Sequence, residues 1–253
     1  MIEPASMAIV AGAALVAGAV NAVAGGGSLI TFPTLVALGL PPVTASVTNT
    51  VAMCPGYLGA TIAQRRDLAG QGKRAATLLP VGAICGAGGA LLLLATEEGS
   101  FKIIVPFLIL FAAMLVAAQD KLRAWILSRN HPARAESLAA VPIAFAAVYG
   151  GYFGAGMGVI VLGALGVLLS DTLLRLNALK QTVSLFVNAA AAIVFLIWGP
   201  IDWPVAAVMM VGSLVGGALG GVLARHVAPA VLRWLVVVTG VAVSAIYFVK
   251  LWA

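Results

Sequence analysis

Charge is scarce in this chain: Asp, Glu, Lys and Arg make up only 9% of its 253 residues, too few to cover the surface of a soluble domain of this size. Carboxylates are rarer still, eight against fourteen Lys and Arg. Glu3, Asp67, Glu97, Glu98, Asp120, Glu136, Asp171 and Asp202 all fall at predicted helix ends or loops. The buried acid relays of proton pumps and cation sites are therefore excluded. The two cysteines, Cys54 and Cys85, sit apart inside apolar runs and form no CxxC pair, which excludes a disulfide framework and a dithiol redox motif and leaves them as small packing residues. The two histidines, His131 and His226, fall in predicted loops and make no metal cluster. Neither glycine-rich run carries the Lys-Ser/Thr of a nucleotide-binding loop, which excludes ATP-driven chemistry. No cofactor and no metal are expected.

What is there is hydrophobic, at 62% of residues with a mean hydropathy of +1.12. Runs at 75–95, 103–118, 205–224 and 231–249 approach the ~20 residues that cross a bilayer. Lys and Arg fall in the short loops between such runs, so they read as topology signals rather than as a nucleic-acid footprint. Glu3 stands where a leader would carry basic residues, so no cleavable signal peptide is expected.

The apolar runs are interrupted twice in matching places. Asn21-Ala22-Val23-Ala24-Gly25-Gly26-Gly27-Ser28 breaks the first half and Tyr152-Phe153-Gly154-Ala155-Gly156-Met157-Gly158 the second. Sliding the chain against itself by about 131 residues superimposes the breaks, and Thr48-Asn49-Thr50-Val51 then falls on Lys180-Gln181-Thr182-Val183. Gly82 and Gly86 fall on Gly212 and Gly216, and Lys102 on Arg233. The fold expected is an all-α polytopic membrane protein of two inverted repeats, 1–118 and 137–253, joined by a charged cytoplasmic linker at 119–136. Each repeat is a glycine-broken helical hairpin followed by three transmembrane helices.

Charge counting selects the hairpins. If each broken segment crossed once, five of the fourteen Lys and Arg (Lys102, Arg175, Lys180, Arg225 and Arg233) would lie outside. If each folds back on itself, only Lys102 and Lys250 do, as the positive-inside rule prefers. The broken segments, about 7–39 and 138–169, are also too long for one straight crossing. Both termini are then outside, and the halves enclose a site near the bilayer midplane.

Irregular backbone at membrane depth persists only where protein, water or ligand satisfies it. Gly25, Gly26 and Gly27 permit the turn, Ser28 is placed to cap the helix that follows, and that helix start forms an anion site. In the second break Gly154 and Gly156 play the same part, with Gly158 at the corresponding helix start. Asn21, Asn49, Thr50, Gln181 and Asn188 supply amides and hydroxyls, with Asn49 and Gln181 as repeat equivalents. Lys180 either adds a counter-charge or snorkels to the inner interface. Gly82, Gly86, Gly212, Gly216 and Gly220 read as helix-packing residues.

The run Asn21 to Leu35, with Asn-x-x-x-Gly-Gly-Gly-Ser and Pro33 beyond it, together with Tyr149-Gly150-Gly151-Tyr152-Phe153-Gly154-Ala155-Gly156-Met157-Gly158, resembles the TauE/SafE sulfite exporter family over nearly the whole chain. The second break departs from the family's pattern in reading Gly-Met-Gly where many members have three glycines. The resemblance implies passive or secondary transport of a small sulfur-containing anion such as sulfite, thiosulfate or a sulfonate across a bacterial cytoplasmic membrane, with no enzymatic step. The partners it implies are that sulfur oxyanion or organosulfur anion and membrane lipid; nucleic acid is not expected, and a homodimer remains open. The alternatives are a permease subunit for another small anion or solute, or an intramembrane enzyme using Cys54.

Overall fold

The computed structural model describes residues 4–23, 25–128, 139–223 and 230–252, and they form helices joined by short turns. The first half contains α1 (Pro4–Val23), α2 (Ser28–Ala37), α3 (Pro42–Ala63), a 3-10 turn (Arg65–Leu68), α4 (Gly72–Leu94) and α5 (Glu98–Ser128). The second contains α6 (Ala140–Tyr152), α7 (Met157–Leu168), α8 (Leu173–Trp198), α9 (Trp203–Leu223) and α10 (Ala230–Trp252). Five helices, α1, α4, α5, α8 and α9, are long and apolar enough to cross a membrane. The chain is a multi-pass membrane protein.

Both broken segments fold back. α1 packs against α2, and α6 against α7. The arms of the first hairpin are unequal: α1 has 20 residues and α2 only ten, a rise of about 15 Å. The end of α5 lies further on than the charge pattern suggests. The helix continues through Gln119, Asp120, Lys121 and Arg123 to Ser128, so the first part of the stretch read as linker is helix. The remainder, with Arg129, His131, Arg134 and Glu136, lies outside the described residues, as do Glu3, Ala24, Arg225 and His226 and the side chains of Arg233 and Lys250.

Glycine sets the helix spacing. α4 packs between α6 and α8, while α9 packs between α1 and α3. A Cβ at Gly86 would sit 2.8 Å from the Val187 carbonyl oxygen of α8, and one at Gly212 2.7 Å from that of Ala11 in α1. Gly82 lies against Val183 and Val187, Gly216 against Leu15 and Gly220 against Ala19. Backbones approach this closely only without side chains between them. Ser213 Oγ donates to the Ala52 carbonyl (2.7 Å) and Ser244 Oγ to that of Pro106 (2.9 Å), polar links between membrane helices.

The contacts of the two halves can be set side by side. Gly56 of α3 meets Ser213 and Gly217 of α9, while Val187 of α8 meets Gly82 and Gly86 of α4. Matching the two sets places each residue 131 positions from its counterpart. At that spacing Asn49 falls on Lys180 and Thr50 on Gln181, one residue from the register that sets Asn49 against Gln181, while Gly82 and Gly86 fall on Ser213 and Gly217. In the hairpins the step is 129, because Gly25 (φ 77°) matches Gly154 (φ 78°) and the start of α2 matches that of α7. The second helix therefore starts at Met157, and Gly158 is one residue inside it.

Hydrogen bonds gather the turns into two groups. The turn after α3 is tied to the turn before α8 by Arg74 to Asp171 (2.6 Å), Gln71 Nε2 to the Arg175 carbonyl (3.0 Å) and Arg175 Nη1 to the Ala69 carbonyl (2.9 Å). At the other end of α3, Val43 N donates to Glu98 Oε1 (3.0 Å) and Asp202 N to Thr48 Oγ1 (3.0 Å).

Candidate functional site

The end of α1 leaves four carbonyls without helical partners, and each receives a donor. Gly25 N bonds Val20 O at 3.0 Å. Lys180 Nζ reaches Asn21 O at 3.4 Å, Asn177 Nδ2 reaches Ala22 O at 3.2 Å, and Arg123 Nη2 reaches Val23 O at 2.9 Å. Two cations thus lie at the negative end of the α1 dipole, where positive charge is favoured. Asn177 also donates to Gln64 Oε1 at 2.7 Å, locking the end of α3 to the same point.

The N-terminus of α2 is capped from within the hairpin. Asn21 Oδ1 accepts from Gly26 N (2.9 Å) and Gly27 N (2.7 Å). Ser28, expected as the cap, is instead the first residue of α2, preceded by Gly27 at the N-cap position. A side chain six residues upstream satisfies the amides because the fold-back brings α1 against the start of α2. The donors of Gly25, Gly26 and Gly27 are consequently engaged, while Asn21 Nδ2 is buried without a partner.

In the second break Gly154 N bonds Tyr149 O at 3.2 Å, the counterpart of the Gly25 bond. Asn21, however, is matched by Gly150, which has no side chain to cap with. The amides of Ala155, Gly156 and Gly158 make no hydrogen bond to any described residue. Gly156, at φ 76°, starts α7 from the left-handed region, a conformation glycine alone adopts freely. Tyr149 OH donates to Ala155 O at 2.6 Å and holds the turn.

The two breaks touch. A Cβ on Gly25 would lie 3.1 Å from Gly158 Cα, and one on Gly158 3.6 Å from Lys180 Cδ. Lys180 is fully buried, with its stem along Gly158 rather than extended to the protein surface. Phe153 of the second break meets Phe32 of α2 edge-on, with centroids 5.2 Å apart.

The remaining candidates divide. Asn49 Oδ1 accepts from Thr31 Oγ1 of α2 at 2.5 Å, leaving its Nδ2 without a bond to the described residues. Thr50 Oγ1 donates to Ser46 O, Thr182 Oγ1 to Ala178 O and Asn188 Nδ2 to Ser184 O, all within their own helices. Gln181 is fully buried, and neither end of its amide has a partner among the described residues.

The sequence reading named Gln181 and Asn188 but missed the groups that share their face. Asn177, Gln181, Ser184 and Asn188 recur at i, i+4, i+7 and i+11, one face of α8, and are all buried. Asn177 Oδ1 and Ser184 Oγ are unpartnered there. On α5 the same spacing carries Ala112 against Gly156, Val116 against Gly26, then Gln119 and Arg123. Gln119 is buried with both amide atoms unpartnered. Helical spacing from Ala112 and Val116 is the signal that could have moved Gln119 and Arg123 out of the linker.

Cys54 offers no support for catalysis. Its thiol donates to the Thr50 carbonyl at 3.4 Å, and among the described residues no group of three His, Cys, Asp or Glu stands together. A nucleophile is activated by an adjacent base, a lowered pKa or a metal.

Comparison with known proteins agrees with this architecture. The model of the family described as "Sulfite exporter TauE/SafE" matches residues 10–247. A "Probable membrane transporter protein" of Haemophilus influenzae is 32% identical, over 91% of this chain and 89% of its own length. "Probable membrane transporter protein YfcA" of Escherichia coli K12 is 26% identical, over 97% and 90%. "Probable membrane transporter protein ORF9" of a Sinorhizobium species is 27% identical, over 92% and 88%. A match across this span, together with two glycine breaks in the places described, makes the chain a member of the TauE/SafE family.

Proposed function

We propose that the protein is a secondary transporter of a small sulfur-containing anion, such as sulfite, thiosulfate or a sulfonate, which binds where the two breaks meet. The observation that carries this reading is the asymmetry of the breaks. Asn21 occupies the amides of the first, whereas those of Ala155, Gly156 and Gly158 in the second have no partner among the described residues. Unpaired amides at a helix start form an anion site. Lys180, packed on Gly158, spends one of its three donors on Asn21 O, leaving capacity for an oxyanion. Unpartnered polar atoms of Asn21, Gln119 and Gln181 require water or substrate at that depth.

Alternating access follows from inverted repeats. The exchange of contacts, α4 with α6 and α8, α9 with α1 and α3, supports such a pair, as do hairpins whose arms meet opposite groups of turns. The group with Arg65, Arg66, Lys73, Arg74 and Arg175 is then the cytoplasmic face, and both termini lie outside. With no deep carboxylate expected, any coupling to protons is carried by the anion itself moving in protonated form. The substrate class comes from the family and not from the geometry.

Flux of sulfite, thiosulfate and sulfoacetate into proteoliposomes containing only this protein, with and without a pH gradient, tests the reading. Saturable flux of one anion is expected. Absence of flux for all of them contradicts it and points to a partner subunit or another solute.

A further inference from the structure

A second cluster of charge lies away from the breaks. The turn before α4 and the turn before α8 enclose a cleft of about 430 Å³ lined by Gly70, Gly72, Lys73, Arg74, Asp171 and Arg175. Three of these are cations and one is a carboxylate. Asp171 receives Arg74 Nη1 (2.6 Å), Arg175 Nε (2.8 Å) and Thr172 N (2.8 Å), so its charge is already committed. Burial works to raise the Asp171 pKa, but the hydrogen bonds from Arg175, Arg74 and the Thr172 amide outweigh it and hold the carboxyl below its usual value. It stays ionised, so the lining itself carries three cations and one carboxylate. Lys73 is exposed at the mouth of the cleft.

The placement of these cations runs against helix electrostatics. Lys73 and Arg74 occupy the first turn of α4 and Arg175 that of α8, and neither first turn contains an acid. Helix N-termini favour negative charge. Retaining cations inside a membrane's basic face requires only that they lie in its loops. It does not require them in two first turns around one cavity. Two helix starts and three cations on one cleft form an arrangement completed by an added anion. The floor leaves room for it: a Cβ at Gly72 would meet nothing within 4 Å, and Gly70 takes φ +79° with Arg175 Nη2 3.8 Å from where its Cβ would be.

We propose that this cleft binds a tetrahedral oxyanion of phosphate type, separately from the breaks and independently of the transport reading. That chemistry is supplied either by the headgroup of an anionic phospholipid or by a free anion. Lys73 and the outward edge of Arg175 are the ligands, and Asp171 positions the two arginines.

The test uses the full chain and two probes. In a neutral detergent, thermal unfolding is followed while inorganic phosphate replaces chloride at constant ionic strength. In nanodiscs, it is followed in phosphatidylcholine with and without phosphatidylglycerol. Lys73→Gln is the variant, chosen because Lys73 is exposed and its replacement is expected to leave the fold intact. Lys102→Gln, at the start of α5, is the control. Stabilisation by phosphate that Lys73→Gln weakens by about 5-fold and Lys102→Gln leaves intact supports the site and identifies a free anion. Stabilisation by phosphatidylglycerol alone, lost in Lys73→Gln, supports it and identifies the headgroup. Lys73→Gln without added anion should be no less stable than the parent. No stabilisation by either probe, or stabilisation unchanged in Lys73→Gln, overturns the proposal.

Discussion

Lys180 of α8 donates through Nζ to the main-chain carbonyl of Asn21, 3.4 Å away, at the last turn of α1. This long bond joins the two halves of the protein at their breaks and leaves most of the ammonium's donor capacity unused. Lys180→Met keeps the length and apolar stem of the side chain, so folding and membrane insertion should persist. Anion flux should fall at least about tenfold, the equivalent of one charge-assisted hydrogen bond. Detergent-solubilised thermal stability together with initial flux rates separates the two effects; unchanged flux would remove Lys180 from the site.

Asn21 does two things that mutation can separate. Asn21→Ala removes the cap of Gly26 N and Gly27 N and should destabilise the protein by about 1 kcal/mol. Asn21→Asp keeps an acceptor oxygen for both amides, so stability should be retained while the new negative charge suppresses anion transport. Chemical unfolding and flux, measured on both variants, give the comparison.

Gly25 and Gly158 should be intolerant for different reasons. Gly25→Ala meets both a positive φ of 77° and Gly158 Cα at 3.1 Å, whereas Gly158→Ala has no positive φ and meets Gly25 Cα at 3.2 Å and Lys180 Cδ at 3.6 Å. Left-handed strain is of order 1–3 kcal/mol, so Gly25→Ala should lower the melting temperature more. Gly88→Ala, where a Cβ meets nothing within 4 Å, should be close to neutral in the same assay.

Gln119 is buried with an unsatisfied amide. Gln119→Leu removes that cost and should leave stability unchanged or raised, while reducing flux if water or substrate uses the amide. Loss of stability with flux intact would show that Gln119 only supports the fold.

Asp171 predicts a pH dependence. Its folded pKa lies below the usual value near 3.8, so its contribution to stability is complete above that value and is lost as pH falls through the lowered one. The stability difference between the parent and Asp171→Asn should therefore be constant at neutral pH and shrink at acid pH. A difference that grows on acidification contradicts the pairing with Arg74 and Arg175.

The breaks and hairpins were legible because glycine punctuation and helix length are local signals. The packing roles of Gly86 and Gly212 were legible for the same reason. The site's connections were not. Asn177 and Ala22 are 155 positions apart in the chain, and nothing local indicates that one satisfies the other. Gln119 and Arg123 were hidden by neighbouring charges that resemble a linker, although the helix carries them onto the face that meets Gly26. Ser28 looked like the cap because local chemistry favours a hydroxyl at a helix start, and only the fold-back brings Asn21 Oδ1 to those amides. The spacing of 131 that sets Asn49 against Lys180 comes from contacts between helices, where a shift of one residue that is invisible in sequence changes which side chains fall together.

The most direct measurement is the position of a bound anion. Selenite, a sulfite analogue that scatters anomalously, is diffused into crystals of the transport-active protein. The account predicts one selenium peak with oxygens within about 3 Å of the Gly156 amide and Lys180 Nζ. A peak elsewhere in the membrane region, with none between the two breaks, would contradict it.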